Sequence, residues 1–585
     1  MVYSYIAIMK YMAMNAGVYD LGVSSQLLYY VFHESVQYSL THITFNKLIY
    51  LPLSVIYLIY PHPQTVLVIQ AFVVSLGAYP VYLIANLKLK DRGSAFMIGM
   101  TYLLFYPLYG PLWFDFHFMA LFPTPFLFSF YFYLKGEKKK TVAFALIASV
   151  TDLLAPVIIG MFGLYALIHD RPFTKRIDIK GAGFLIILSS ALIFIAANLY
   201  IGPQYAVSFA NNSVFSSTFA FTHTSRTYEA TYFLWIMLPV LFICILAPDL
   251  LFLIIPFAAL VFANSYFPFV DTMFYQYTAL VSAQIFLAFI FGIERFGKKM
   301  GKHGITVKRL AAAVLIFNIL LAMMFTPLGN SVTNNLDNQH LEYALTGNRG
   351  NYETIDEITY HQYDSGVLKM ASFVPLYSSI VIQDNMPQLT SGYHWVLPDF
   401  IKELNNPQFA ITDPYSPAFY NTYFTLNTNH TMLNETNRVF IPDKYGIVAE
   451  DYGEILLENG YRGSVRQFIP LEYSAGPCYF KSGIIGATDS NTTIGFNAPF
   501  IAPGEYLVEF SGINENVTNV NVSYSYDNFN GTVKMGTVPL PVSTNGNASI
   551  ILNPAFYMMN LQFFISYGGN SHSNVVMKLL QEKPG

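Results

Sequence analysis

The amino-acid sequence predicts a polytopic α-helical membrane domain followed by two water-exposed domains, a small α/β domain and a C-terminal β-sandwich. Three observations predict this. Of 585 residues, 54% are hydrophobic and only 11% are charged, whereas a soluble chain is about one quarter charged, so a soluble globular enzyme is excluded. Apolar windows recur between Val66 and Phe325, several near the roughly 20 residues that cross a bilayer. Beyond Leu328 the chain becomes rich in Asn, Tyr, Ser and Thr, and its charge changes sign: 20 Lys and Arg against 12 Asp and Glu before that point, 11 against 23 after it. The expected domains are therefore 1–328 in the membrane, with an outer-face loop at 18–47, then 329–473 (α/β) and 474–585 (β-sandwich), both extracellular.

Seventeen of the 31 basic residues fall in four short loops, 88–92, 135–140, 171–180 and 295–309, which the positive-inside rule assigns to the cytoplasm. The spans then read as 66–85, 94–113, 118–134, 182–200, 231–247, 250–262, 272–291 and 310–325. The apolar run 143–168 lies between two basic loops and must return to its own side, so a break at Thr151 and Asp152 is expected; irregular backbone at that depth is buried or lines a wet cavity. Residues 48–60 are too few to span and read as a re-entrant or interfacial helix. Lys10 interrupts residues 1–17, so a first transmembrane helix upstream of Met1 is expected. Asn-X-Ser/Thr sequons at Asn211, Asn429, Asn434, Asn491, Asn516, Asn521, Asn530 and Asn547 all fall in segments assigned outside, which favours a glycosylating surface such as an archaeal one.

In the polar half, strand-like runs at 379–383, 409–412 and 445–449 alternate with loop and helical stretches such as 453–460, the pattern of an α/β domain. After about Ser474 short alternating strands follow at 493–496, 505–510, 520–526, 548–552, 561–567 and 575–580, broken by Asn, Gly and Pro, as in a sandwich. A nucleic-acid partner is excluded for want of a basic face outside the membrane loops. Cys244 in an apolar run and Cys478 in the polar part neither bridge nor supply a thiolate zinc site.

Several residues are candidates for chemistry. Asp20, in Val18-Tyr19-Asp20-Leu21-Gly22, could take a proton from an acceptor hydroxyl or ligate a divalent cation; it could equally cap the apolar helix that follows. Asp115 and His117 stand two apart among aromatics, able to relay a proton, or merely to end an aromatic belt. Asp152 is an ionisable group in an apolar run, which normally faces a cavity or partner, or caps the second half-helix. Arg226 in His223-Thr224-Ser225-Arg226 is the cation best suited to grip a phosphate or pyrophosphate of a lipid carrier, with pairing to Glu229 as its alternative. Tyr275 and Gln276 line the outer vestibule or anchor the interface, and His42 stands in the first outer loop. No phosphate-binding glycine loop, His-Glu-X-X-His or serine elbow is present.

Tyr19-Asp20-Leu21-Gly22 with Gln26, His42 ahead of Leu51-Pro52-Leu53 and Tyr57, Gln70-Ala71, Asp115-Phe116-His117 and Gln276-Tyr277, then 374–381, 387–389 and 393–398, together resemble the predicted-membrane-protein family called domain of unknown function 2079, over about residues 5–470. In architecture that family resembles the integral-membrane glycosyltransferases of the GT-C fold. The resemblance implies that Asp20 takes the place of the acid in the first outer loop, as base or metal ligand, and that the donor is a polyprenyl-phosphate sugar. Val150-Thr151-Asp152 stands where the family usually has Lys-Glu-Asp.

The leading expectation is an inverting sugar transfer from this donor to a surface glycan or glycoprotein acceptor, with the membrane lipid as second partner. Asp20 acts on the acceptor, Arg226 and His223 hold the phosphate, and Asp115 with His117 or His42 completes the pocket. A divalent cation is compatible with these acids but not required. A non-enzymatic surface glycoprotein with a binding ectodomain is the alternative, and a lipid or solute transporter, favoured by the break at Asp152, is the third reading.

Overall fold

The structure is a computed structural model that describes residues 2–33, 49–169, 180–210, 226–263, 267–270, 272, 275–300, 306–326, 360, 362–396, 407–413, 445–451, 454–460, 468–470, 481–487, 491–501, 506–513, 516–528, 531–552, 558–568 and 576–582. The chain divides into two compact units, one made of Met1–Tyr11 and Val23–Thr359, the other of Met12–Gly22 and Tyr360–Gly585.

The first unit is helical. Among the described residues three helices are long and apolar enough to cross a membrane, Pro63–Leu89, Gln276–Lys299 and Val307–Phe325, and the apolar pair Arg92–Leu103 and Tyr106–Trp113 is bent by 48°, as a broken span or a re-entrant loop is. Local chemistry sets their ends. Pro63 and Pro123 occupy first-turn positions, where a missing N–H costs nothing. The Asp91 carboxylate accepts from the Gly93 and Ser94 amides to start Arg92–Leu103, and left-handed Gly136 closes Pro123–Lys135. The apolar run 143–168 is interrupted, as Lys138–Ser149 and Ala155–Ile168, around Thr151 and Asp152.

Other expected spans are shorter or broken. After Arg226–Met237 the chain passes through a 3-10 turn at Leu238–Val240, left-handed Leu241 and Phe242, and another 3-10 turn at Ile243–Leu246. A straight span over 231–247 is thereby replaced. The helix Ala279–Met300 packs against this irregular stretch, and a Cβ at Gly292 would collide with the Ile243 carbonyl, so glycine is what lets the backbones approach. The core around these helices is aromatic: Phe286 meets Tyr102 and Phe105 edge to face, each with ring centroids 5.0 Å apart, geometry that favours the ring quadrupoles.

In the second unit a five-stranded mixed sheet has the order β2-β1-β3-β5-β4, with β1 Ser379–Val381, β2 His394–Val396, β3 Phe409–Thr412, β4 Tyr445–Asp451 and β5 Glu454–Asn459. β1 runs parallel to β2 and β3, and the remaining pairs are antiparallel. Within the stretch 453–460, expected as loop or helix, Glu454–Asn459 forms strand β5. Leu456 and Leu457 are buried, and pairing on both edges overrides the helix propensity of its Glu and Leu residues.

Two antiparallel sheets follow. One orders β11-β10-β14-β8-β7, with β12 beside β10 (β7 Lys481–Ala487, β8 Asn491–Ile501, β10 Asn519–Asn528, β11 Gly531–Lys534, β12 Val538–Pro541, β14 Met558–Gly568). The other orders β13-β9-β15-β6 (β6 Phe468–Pro470, β9 Tyr506–Ser511, β13 Ala548–Leu552, β15 Val576–Glu582). One apolar cluster takes Val508 and Phe510 from the second sheet and Val522, Phe563 and Ile565 from the first. β6 lies before the expected boundary at 473 and pairs with β15.

Candidate functional site

The Asp115 turn is built by residues from distant parts of the first unit. Helix Tyr109–Trp113 ends at Phe114, and Asp115 adopts a left-handed φ of 49°, a conformation that Asp tolerates better than most side chains. The Asp115 amide donates to the Trp113 carbonyl at 2.8 Å. Gln70 clamps the turn from both sides: its Nε2 donates to the Asp115 carbonyl at 2.6 Å and its Oε1 accepts from the His117 amide at 2.9 Å. His117 Nδ1 lies 2.9 Å from the Phe114 carbonyl. A carbonyl can only accept, so Nδ1 is the donor in this contact.

The Asp115 carboxylate, in a residue 7% exposed, lies 3.4 Å from Lys10 Nζ. Lys10 also donates to the Trp113 carbonyl at 3.0 Å and sits over the Trp113 ring, 5.3 Å from its centroid. A buried charge is tolerable only when paired and hydrogen-bonded. Here Lys10 and Asp115 are paired with each other, and Lys10 has its hydrogen bond on the Trp113 carbonyl. Neither Lys10 nor Gln70 was expected at this site. Each left a signal as the polar residue inside an apolar run, at 1–17 and 66–85.

Tyr275 and Gln276 join the same region. The Tyr275 ring lies 4.9 Å from that of Phe114, and the turn Gln276–Thr278 is tied back by Thr278 Oγ1 donating to the Pro107 carbonyl at 2.5 Å. Gln276 is buried, with no hydrogen-bond partner for its Oε1 among the described residues. The structure thus gathers Asp115, His117, Tyr275 and Gln276. Asp152 belongs to the helix break instead: its Oδ1 accepts from the Leu154 amide at 2.9 Å, and Thr151 Oγ1 donates to the Ala148 carbonyl at 2.7 Å. Capping of this kind accounts for a carboxylate in an apolar run.

Asp20 folds within the second unit. It sits, half-exposed, in a single π-type turn at Val18–Gly22, whose Leu21 and Gly22 amides both donate to the Gly17 carbonyl, at 3.0 and 3.3 Å. Arg226 is the first residue of the helix Arg226–Met237. His42 and His223 lie outside the described residues, as do sequons Asn211, Asn429, Asn434 and Asn530. Asn491 opens β8 opposite Gly568, and Asn516, Asn521 and Asn547 are exposed, as glycan acceptors must be. Among the described residues no group of three or more His, Cys, Asp or Glu converges to hold a metal ion.

The model of a family described as predicted membrane protein (DUF2079) matches residues 10–343, more than half of the chain. The chain belongs to this family. The match contains Asp20, Gln70, Asp115 and Gln276, and it ends short of the 470 expected from the sequence motifs. None of the curated proteins matches. Among solved structures, the chain is similar to ArnT from Cupriavidus metallidurans, crystallised with undecaprenyl phosphate, at 12% identity over 78% of this chain and 97% of that one, TM-score 0.43. It is also similar to the Archaeoglobus fulgidus oligosaccharyltransferase tethered to an acceptor peptide, at 9% identity over 98% and 97%, TM-score 0.33.

Proposed function

We propose that this DUF2079 protein is a membrane glycosyltransferase. It moves a sugar from a polyprenyl-phosphate donor to a glycan or glycoprotein acceptor at the outer surface, where its C-terminal domains lie. The observation that carries this reading is the contrast among the acids. Asp115 is buried against Lys10 and Asp152 caps a helix, whereas Asp20 is partly exposed on a backbone-fixed turn. Asp20 takes the acceptor proton as the acceptor oxygen attacks the anomeric carbon. The carbon–oxygen bond to phosphate breaks, and the lipid phosphate leaves with the electron pair, inverting the configuration. A general base of this kind contributes typically 10²–10⁴-fold.

Arg226 is assigned the leaving phosphate. Its backbone stands at the start of the helix Arg226–Met237, the end at which anions are favoured, and His223 is assigned as its neighbour in that grip. His117, Tyr275 and Gln276 are assigned to the outer vestibule that receives the lipid-linked sugar, and the Lys10–Asp115 pair is assigned to fixing the turn that carries His117. The two antiparallel sheets with their common core read as a β-sandwich that binds the acceptor polymer. Comparison of wild type with Asp20→Ala, each purified from native membranes with its bound lipid, tests the assignment by mass spectrometry of the lipid fraction. Donor present in both proteins and consumed only by the wild type supports it; equal consumption, or no lipid-linked sugar in either, moves the weight to a non-enzymatic surface protein.

A further inference from the structure

We infer that the α/β domain is the positioning element for Asp20, through a contact between Gly22 and Thr390; this rests on the assignment of Asp20 as the base. The segment Met12–Gly22 folds with residues 360–585 and not with the helices on either side of it. Met14 and Val18 are buried in the cluster formed by Ile380, Met386, Leu389 and Ile411, so the turn is anchored by apolar side chains on both sides of Gly17. The Val18 amide donates to the Asp384 carbonyl at 2.6 Å, just past the carboxyl end of β1. Gln388 Nε2 reaches Met14 Sδ at 3.3 Å.

The tightest point is Gly22. A Cβ there would stand 2.7 Å from Thr390 Cγ2 and 3.2 Å from Val18 Cγ1. Thr390 is fully buried, and its Oγ1 donates to the Pro387 carbonyl at 2.8 Å, so it cannot swing its methyl away without losing that bond. An added methyl at Gly22 must therefore move the turn, and Asp20 with it. Helical backbone at Gly22 accepts alanine without strain of its own, so the contact with Thr390 decides the outcome. The domain's role is thus to hold a carboxylate in place, and near-attack geometry is sensitive to displacements of about 1 Å.

The test is a compensating pair. Gly22→Ala should lose 10-fold or more in kcat with little change in KM for the donor, and peptides covering 12–22 should lose hydrogen-exchange protection. Thr390→Ser removes the methyl and keeps the hydroxyl, so alone it should leave both readouts near wild type. The double variant Gly22→Ala/Thr390→Ser should recover both. Unchanged protection in Gly22→Ala, or protection that the double variant fails to restore, overturns the docking contact. Protection lost and restored while Gly22→Ala turns over normally and Asp20→Ala is inactive overturns the positioning role. Full activity in Asp20→Ala overturns the underlying assignment instead.

Discussion

Two aspartates, Asp20 and Asp115, look alike in the sequence, each beside aromatic residues in a segment expected at the outer face, and the structure gives them different surroundings. Asp115 shares a buried ion pair with Lys10, and removing one partner of such a pair typically costs about 3–5 kcal/mol because the other charge is stranded. Asp115→Asn keeps a residue that tolerates the left-handed backbone but strands Lys10. It should lower the thermal midpoint of the detergent-solubilised protein markedly, as should Lys10→Met. The double variant Lys10→Met/Asp115→Asn, with no charge left to strand, should recover most of the loss. Additive losses in the double would show that the two side chains do not act as a pair. The pairing itself was hidden in the sequence: 105 positions separate Lys10 from Asp115, and each charge taken alone invites a functional explanation. The ends of Gln70 were equally unreadable, since an amide in an apolar run announces a partner but not which one.

Elements were legible where local chemistry sets them. The Asp91 carboxyl, which caps the helix Arg92–Leu103, is held below the usual carboxylate range by hydrogen bonds from Ser94. A lowered folded value means stabilisation that is complete above the unfolded value of about 4 and lost as the pH falls through the folded one. Asp91→Ala should cost about 1 kcal/mol at neutral pH, and denaturant titrations should show the difference from wild type constant from pH 6 to 8 and shrinking below about pH 4. Helix contacts were less legible. Gly163 and Gly183 bring Ala155–Ile168 and Lys180–Ala210 into close approach: a Cβ at Gly163 would lie 2.9 Å from the Gly183 carbonyl, and one at Gly183 2.8 Å from the Gly163 carbonyl. Small residues allow such crossings in membranes. Gly163→Ala should destabilise by about 1–3 kcal/mol, measured as a lower thermal midpoint, while Gly160→Ala, whose Cβ meets only Ser190 at 3.9 Å, should be near neutral. Strand β5 shows the opposite failure: its Glu-Ile-Leu-Leu-Glu run fits a helix locally, and only the neighbours β3 and β4 decide against it.

At the scale of the whole molecule, the hydropathy step near Leu328 separates the long apolar helices from the part that holds the sheets, and composition makes that division plain. Composition could not show that Met12–Gly22, lying between two helices of the membrane half, folds with the polar half. That fact depends on side chains such as Met14 and Val18, whose apolar character fits either environment. It also links the two halves covalently at the residue assigned to the chemistry, since Asp20 follows Lys10 by ten positions. The central claim is that Asp20 acts in chemistry while Asp115 acts in structure. The most direct measurement is release of polyprenyl phosphate by Asp20→Asn in native membranes, alongside its thermal midpoint. If Asp20 is the base, release falls by about 10²-fold or more with the midpoint unchanged; release at the wild-type rate would show that Asp20 has no part in the chemistry.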